Sequence, residues 1–354
     1  YVEWLKKQKQ SCSILSIDIP SGLCEDTFDL KQVVSADATV TFHCLKKSQI
    51  NEHNIELCGD IYLVDIGLPK NKQDEELRFL THAYVQDRLS SLESFAHKGS
   101  KGHVLVVGGS PGMYGAVKLC AEASHYAGSG STTICLPVSG ERDLNLRIIE
   151  LMSVSLPEID GNFGNVTNIE LEKIIHGKNS IVFGPGILVT KHTTAILEML
   201  LHYTNVHSIP FIIDAGGLRI LANEKKLLKL LHPLCILTPH PGEFSELIGM
   251  SKSDISSKRI DYAREFASNN ACSLVLKGAL TCIAHVTVDV SINPHISSFL
   301  ATAGSGDVLA GIIASFVAKK SLTIDEAIQV AVFLHGECGA LLQDKHSLPL
   351  GVIA

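Results

Sequence analysis

From Val104 onward, short apolar runs alternate with helical segments, and this alternation constrains the fold more than any other feature. The runs are Val104–Val107, Thr132–Leu136, Ser180–Phe183, Phe211–Ile213, Cys235–Leu237 and Ser273–Leu276. Between them lie segments of helical periodicity, including Met113–Ala127, Lys191–Tyr203 and Asp261–Asn269. Apolar strands separated by helices predict an α/β domain, a parallel sheet covered by helices on both faces. Ligands of such sheets bind beyond the carboxyl ends of the strands. The glycines of this chain fall at those ends.

Residues 1–69 read differently. They hold three β-like runs, Ile14–Ile19, Ala38–Phe42 and Ile61–Ile66, ending in turns such as Pro20-Ser21-Gly22 and Gly67-Leu68-Pro69. Three strands with little between them cannot cover both faces of a sheet, so this block is expected to be a fragment. Residues 70–97 include a charged run and are expected to be a linker with some helical content. Residues 98–354 form the second domain. The chain lacks an initiator Met, which suggests a start inside a longer reading frame.

Hydrophobic residues make up 45% and charged residues 19%, so a large core is within reach. A net charge of -7 argues against nucleic acid or an anionic membrane as partner. Val308–Ala318 is too short an apolar stretch to span a bilayer, and polar Tyr1–Gln10 has no signal-peptide core. Ten scattered cysteines without zinc spacing read as free thiols in the cytoplasm.

The strongest chemical signal is Gly304-Ser305-Gly306-Asp307, directly before the apolar helix Val308–Val317. Glycines at a helix start let backbone N–H groups face an anion. Asp307, in the first turn, is placed to take a proton from a hydroxyl attacking a phosphate. A second glycine-rich loop, Gly108–Gly115, is not a Walker loop, because no Gly-Lys-Ser/Thr follows. Three further loops follow strands: Phe183–Gly186, Asp214–Gly217 and Thr238–Glu243. His240 is held between two prolines ahead of Gly242-Glu243, and Lys277-Gly278 ends another strand. Near the C-terminus, Thr323 and Glu326 have the spacing of a capping box.

Taken in order, these motifs resemble the ADP/ATP-dependent NAD(P)H-hydrate dehydratases. The set is Lys98-Gly99…Gly102, Gly108-Gly109-Ser110, Glu150-Leu151-Met152, Gly184-Pro185-Gly186, His240–Glu243, Lys277-Gly278…Thr281 and Gly304–Asp307. The resemblance implies a ribokinase-like fold for residues 98–354. Ser16–Gly22 and Gly59…Asp65-Ile66-Gly67 are similar to the last third of NAD(P)H-hydrate epimerase, implying a partial Rossmann-like fragment. The epimerase's upstream nucleotide loop is not in this chain, so no epimerase activity is expected from it alone.

By that resemblance, Asp307 is the catalytic base and also touches the substrate, with Ala116, Gly186 and His240. Lys277, Gly278, Ala279, Leu280 and Thr281, with Gly304, Ser305 and Gly306, bind ADP or ATP. Mg2+ is implied by phosphoryl transfer. In the epimerase fragment, Asp18 is the substrate-side carboxylate and Ser21 a potassium (K+) ligand. The implied partner is the small molecule NADHX or NADPHX, with no nucleic acid and no membrane; a homo-oligomer is left open. Two departures stand out: Gly216 where the family carries a carboxylate, and Leu188 where it carries glycine. They imply reduced activity or altered fit. The competing readings are another ribokinase-like small-molecule kinase and a degenerate nucleotide-binding protein without turnover.

Overall fold

The computed structural model describes residues 3–5, 12–24, 30–50, 54–69, 77–90, 101–144, 150–287 and 289–345. The chain divides into two compact units, Tyr1–Glu75 with Ser253–Arg259, and Glu76–Lys252 with Ile260–Ala354.

In the first unit, β1 (Leu15–Ile17), β2 (Ala38–Phe42) and β3 (Asp60–Val64) form a parallel sheet in that order. Its buried cluster is small: Leu23, Val33 and Cys58. Leu15 and Ile17 on β1, and Tyr62, Leu63 and Val64 on β3, stay exposed. This fits the expectation that three strands cannot bury both faces.

The second unit is built on a ten-stranded sheet. Its strands are β4 (Leu77–Phe79), β5 (His103–Val107), β6 (Ser131–Pro137), β7 (Met152–Leu156), β10 (Ser180–Phe183), β11 (Phe211–Ile213), β12 (Cys235–Leu237), β13 (Ser273–Leu276), β14 (Cys282–Ala284) and β15 (Val290–Ile292). A separate hairpin pairs β8 (Glu158–Ile159) with β9 (Asn162–Phe163). The order across the sheet is β4-β15-β14-β13-β12-β11-β10-β5-β6-β7. All neighbours run parallel except the pairs made by β14. Every residue of β10, β11, β12 and β13 is buried, as in a sheet covered on both faces.

The chain winds outward in both directions from the β5/β10 pair. That pair is therefore the topological switch point, where doubly wound sheets place their ligands. The loops beyond it touch: Gly109 N–H donates to the Pro185 carbonyl (2.9 Å) and Leu188 N–H to Ser110 Oγ (3.1 Å).

Seven helices matter for the site: α1 (His82–Ser90), α2 (Tyr114–Tyr126), α3 (Lys191–His207), α4 (Gly216–Asn223), α5 (Pro241–Ile248), α6 (Ser305–Ala318) and α7 (Ile324–Lys345). Helix α6 is the buried apolar helix read from the sequence. Ser180 Oγ, at the start of β10, donates to the Ala314 carbonyl, seating α6 on the sheet. A Cβ on Gly311 would lie 2.1 Å from the Cys120 carbonyl oxygen, so glycine allows α6 to press on α2. The capping box at α7 is present: Thr323 N–H donates to Glu326, and Glu326 N–H to Thr323 Oγ1.

The expected linker needs correction. Its described part supplies β4, paired in parallel with β15, and helix α1. Leu80 and Val85 are buried in the main core. A three-residue strand within a charged stretch leaves too few apolar positions for a period to show. Lys98-Gly99 and the C-terminal residues 346–354 lie outside the described residues.

Candidate active site

Asp214 follows β11 and is 2% exposed. Lys277 follows β13, and its Nζ donates to Asp214 Oδ1 at 3.0 Å. The first turn of α6 lies beside this pair: a Cβ on Gly306 would be 3.0 Å from Lys277 Nζ and 3.9 Å from Asp214 Oδ2. Gly304, at φ +91, is the N-cap of α6 and faces Leu119 of α2. Side chains at either glycine would fill the space where the helix start meets its neighbours. First-turn N–H groups have no earlier helical carbonyl to bond and offer an anion site.

Asp307 sits in that first turn. Burial pushes its carboxyl up to about 7; Asp214 and Glu243 add to the rise, and the Lys277 ammonium opposes it. Such a group ionises near neutral pH, which suits a general base. Glu243, 6% exposed on α5, is also raised by burial, with Lys277 pulling the other way.

His240 caps α5: Nδ1 accepts from the N–H groups of Gly242 (3.0 Å) and Glu243 (3.2 Å). In return, Glu243 Oε2 accepts from His240 N–H (3.0 Å). With Nδ1 accepting, a neutral ring carries its proton on Nε2, which lies 3.6 Å from Glu243 Oε1.

A cleft of about 550 Å³ opens between these loops. It brings together His240, Lys277, Gly278, Ala279, Thr281, Ser305 and Gly306 from the sequence expectations. Leu280 lies in the same loop, but its side chain is 2% exposed and points into the core. Ala116 and Gly186 sit at the switch point instead. Gly186, at φ +63, lies against Met113, and Ala116 N–H donates to the Met113 carbonyl (3.3 Å). Asp18 and Ser21 belong to the other unit. There Asp18 Oδ1 accepts from Thr41 Oγ1 (3.1 Å), Phe42 N–H (3.3 Å) and Lys46 Nζ. The Ser21 carbonyl accepts from Val34 N–H.

Sequence reasoning left several lining residues unnamed. Asn293, His295, Ser297 and Thr302 come from the β15–α6 connection, and His335 from α7. Burial holds His335 down at about 4, so it stays neutral with Nε2 3.3 Å from Ser305 Oγ. Asp214 was noticed only as a loop start. A lone carboxylate at the carboxyl end of a fully buried strand was the signal available.

The two departures look different in the structure. A Cβ on Gly216 would lie 2.3 Å from the Ile187 carbonyl oxygen. Gly216 is thus required by close backbone approach, and a carboxylate there has no room without a shift. Leu188 is 49% exposed.

The mostly parallel ten-stranded sheet covered by helices is that of a ribokinase-like α/β protein. The chain belongs to the NAD(P)H-hydrate dehydratase family, whose model matches residues 104–353. Residues 1–48 match the model of the YjeF-related protein N-terminus. A bifunctional NAD(P)H-hydrate repair enzyme of Moorella thermoacetica is 36% identical, covering 92% of this chain and 62% of that protein. The chain therefore spans less than two thirds of that relative. The ADP-dependent (S)-NAD(P)H-hydrate dehydratase of Bacillus subtilis is 31% identical over 76% of this chain and 91% of its own length. Among solved structures, a ribokinase-like protein of Enterococcus faecalis superposes with a TM-score of 0.66 at 25% identity, covering 80% of this chain and 94% of its own. The Bacillus subtilis dehydratase co-crystallised with ATP and Mg2+ gives 0.62 at 29% identity, covering 76% and 91%.

Proposed function

We propose that this chain repairs hydrated NADH and NADPH, using ADP or ATP to dehydrate the S form of the hydrate. The observation that carries this reading is Asp307. It is a partly buried carboxyl poised at about 7, in the first turn of a helix that can hold phosphate, beside the Lys277–Asp214 pair.

The nucleotide supplies the phosphoryl group that makes the hydrate hydroxyl a leaving group. Asp307 takes the hydroxyl proton as the oxygen attacks phosphorus. The first-turn N–H groups of α6 and the Lys277 ammonium oppose the charge that grows on the phosphoryl oxygens. The bond from the transferred phosphorus to the nucleotide breaks and AMP (from ADP) or ADP (from ATP) leaves. Phosphate then departs from the ring carbon as a proton is lost from the neighbouring ring carbon, which restores the double bond of the reduced ring. His240 offers Nε2–H to the substrate, and its helix cap fixes the ring beforehand. Ala116 and Gly186 line the substrate side at the switch point. Gly278, Ala279 and Thr281 run along the nucleotide, with Leu280 contributing backbone only.

Among the described residues, no three-ligand group of carboxylates or histidines gathers beside Asp307. This suits Mg2+, which binds through one or two carboxylates plus substrate phosphates. Asp214 and Glu243 would be the carboxylates to hold such an ion.

The first unit is assigned as part of an epimerase domain, with Asp18 toward the hydrate and Ser21 toward potassium. These two assignments rest on resemblance. The ten free cysteines suit a cytoplasmic setting. Among the described residues, no helix is long and apolar enough to cross a membrane.

The test is incubation of the chain with S-hydrate, Mg2+ and either nucleotide while NADH absorbance is followed. The proposal expects NADH to appear only with nucleotide. Nucleotide consumption that leaves a stable phosphorylated product would make the protein a small-molecule kinase instead.

A further inference from the structure

Outside the catalytic cluster, three potential metal ligands meet within the second unit. They are His82 at the start of α1, His295 after β15, and Glu337 on α7. One ligand atom from each lies within 4.8 Å of the other two. His295 Nε2 is 2.5 Å and His82 Nε2 3.6 Å from the same oxygen, Glu337 Oε2.

The hydrogen bonds behind His295 make this more than proximity. Asn293 Nδ2 donates to the Val332 carbonyl (3.3 Å), which turns Asn293 Oδ1 toward His295 Nδ1 at 2.9 Å. An amide oxygen only accepts, so Nδ1 must carry the hydrogen. A neutral His295 then presents its Nε2 lone pair to a carboxylate oxygen. Two such atoms that close are joined either by a shared proton or by a metal ion. A ligand histidine whose other nitrogen donates to a fixed oxygen is the usual outer-shell arrangement of a metal site.

Packing holds His295, whose side chain is 11% exposed, in place. Both imidazoles stand edge-on to Phe333, one turn before Glu337, with centroids at 5.0 Å for His82 and 4.5 Å for His295. Tetrahedral coordination at roughly 2.0–2.1 Å bonds sets ligand atoms about 3.3 Å apart. The observed spacings bracket that figure, and exposed His82 has room to move.

We propose that His82, His295 and Glu337 bind a divalent transition-metal ion of the zinc class, with at least one coordination position open to solvent. Two imidazoles and one carboxylate suit such a borderline ion and do not suit magnesium. His295 also lines the nucleotide cleft, so the ion would lie at its rim. The site is separate from the dehydration chemistry and does not depend on it.

The test is titration of the chelator-treated 354-residue chain with Co2+, read by its visible absorption. One equivalent should bind, Zn2+ should displace it, and excess Mg2+ should not. His82→Ala and the isosteric Glu337→Gln should each weaken binding at least about tenfold, comparable to loss of an outer-shell partner or worse. His207→Ala, a remote histidine, should change nothing. X-ray absorption on the zinc-loaded parent needs no variant and should show two imidazoles and one carboxylate oxygen. The absence of stoichiometric binding would leave only a His295–Glu337 ion pair and overturn the proposal. A different ligand set, or full affinity in both variants, would overturn it as well.

Discussion

Asp18 and Asp307 are carboxylates in the two units of one chain, and their surroundings push them in opposite directions. Asp18 follows β1 at φ +67 and is partly exposed. A hydrogen bond from Lys46 holds its carboxyl below the ordinary value, with Phe42 N–H and Thr41 adding to the effect. Asp307 is partly buried, with Asp214 and Glu243 near it, and desolvation lifts it to about 7. Asp18 is therefore a fixed anion, suited to orienting a ligand. Asp307 exchanges its proton near neutrality, suited to removing one. The difference comes from burial and neighbours, because the side chains are identical.

The largest break in this comparison should come from Asp307→Asn. The amide keeps the shape and cannot take a proton. NADH recovery should fall by about 10²–10⁴-fold, the usual effect of losing a general base. Nucleotide affinity, measured by calorimetry, should stay within a few fold.

Next in size is Gly216→Asp. Sequence comparison alone suggests that a carboxylate there would improve hydrate binding. The Ile187 carbonyl, 2.3 Å from the position of the new Cβ, predicts damage instead. Denaturant melts should show a loss of roughly 1–3 kcal/mol, as for other overpacked sites. An unchanged midpoint with tighter hydrate binding would show that the loop yields easily.

The raised carboxyl also has a stability cost with a definite sign. The folded value of Asp307, about 7, lies above the unfolded carboxyl range. Its contribution is fully present below the unfolded value and is lost as pH rises toward 7. Asp307→Asn removes that loss. At pH 8 the variant should therefore melt higher than the parent. The two should converge near pH 4.

Lys46→Ala should have the smallest effect. Its partner Asp18 is 43% exposed at the side chain, and such pairs contribute about 0–1 kcal/mol. Asp18 should then titrate at a higher pH, as read by carboxyl NMR. Stability should change little.

The sequence exposed the centre of the sheet better than its edges. The runs at β5, β6, β10, β11, β12 and β13 stand out because both faces are buried, so every position is apolar or small. Strand β4 lies in a charged stretch, and β14 and β15 follow β13 with no helix between them, so the strand-helix alternation does not reveal them. Strand β7 alternates Ser with apolar residues and has one buried position, so it lacks the continuous apolar run that marks the central strands. The helix start at Gly304–Asp307 was legible because its motif is local. The ion pair of Asp214 with Lys277 spans 63 positions, and only the fold brings it together. The same holds for His335 behind Ser305, 30 positions away.

The central claim is that Asp307, set near neutrality by burial, is the base. The most direct measurement is the pH dependence of kcat/KM for NADH formation, which reports groups on the free enzyme. The account predicts activity rising with pH through an apparent value near 7, where Asp307 ionises. It also predicts that the residual activity of Asp307→Asn lacks this limb. A parent profile that stays flat well below pH 6, or an unchanged limb in Asp307→Asn, would contradict it.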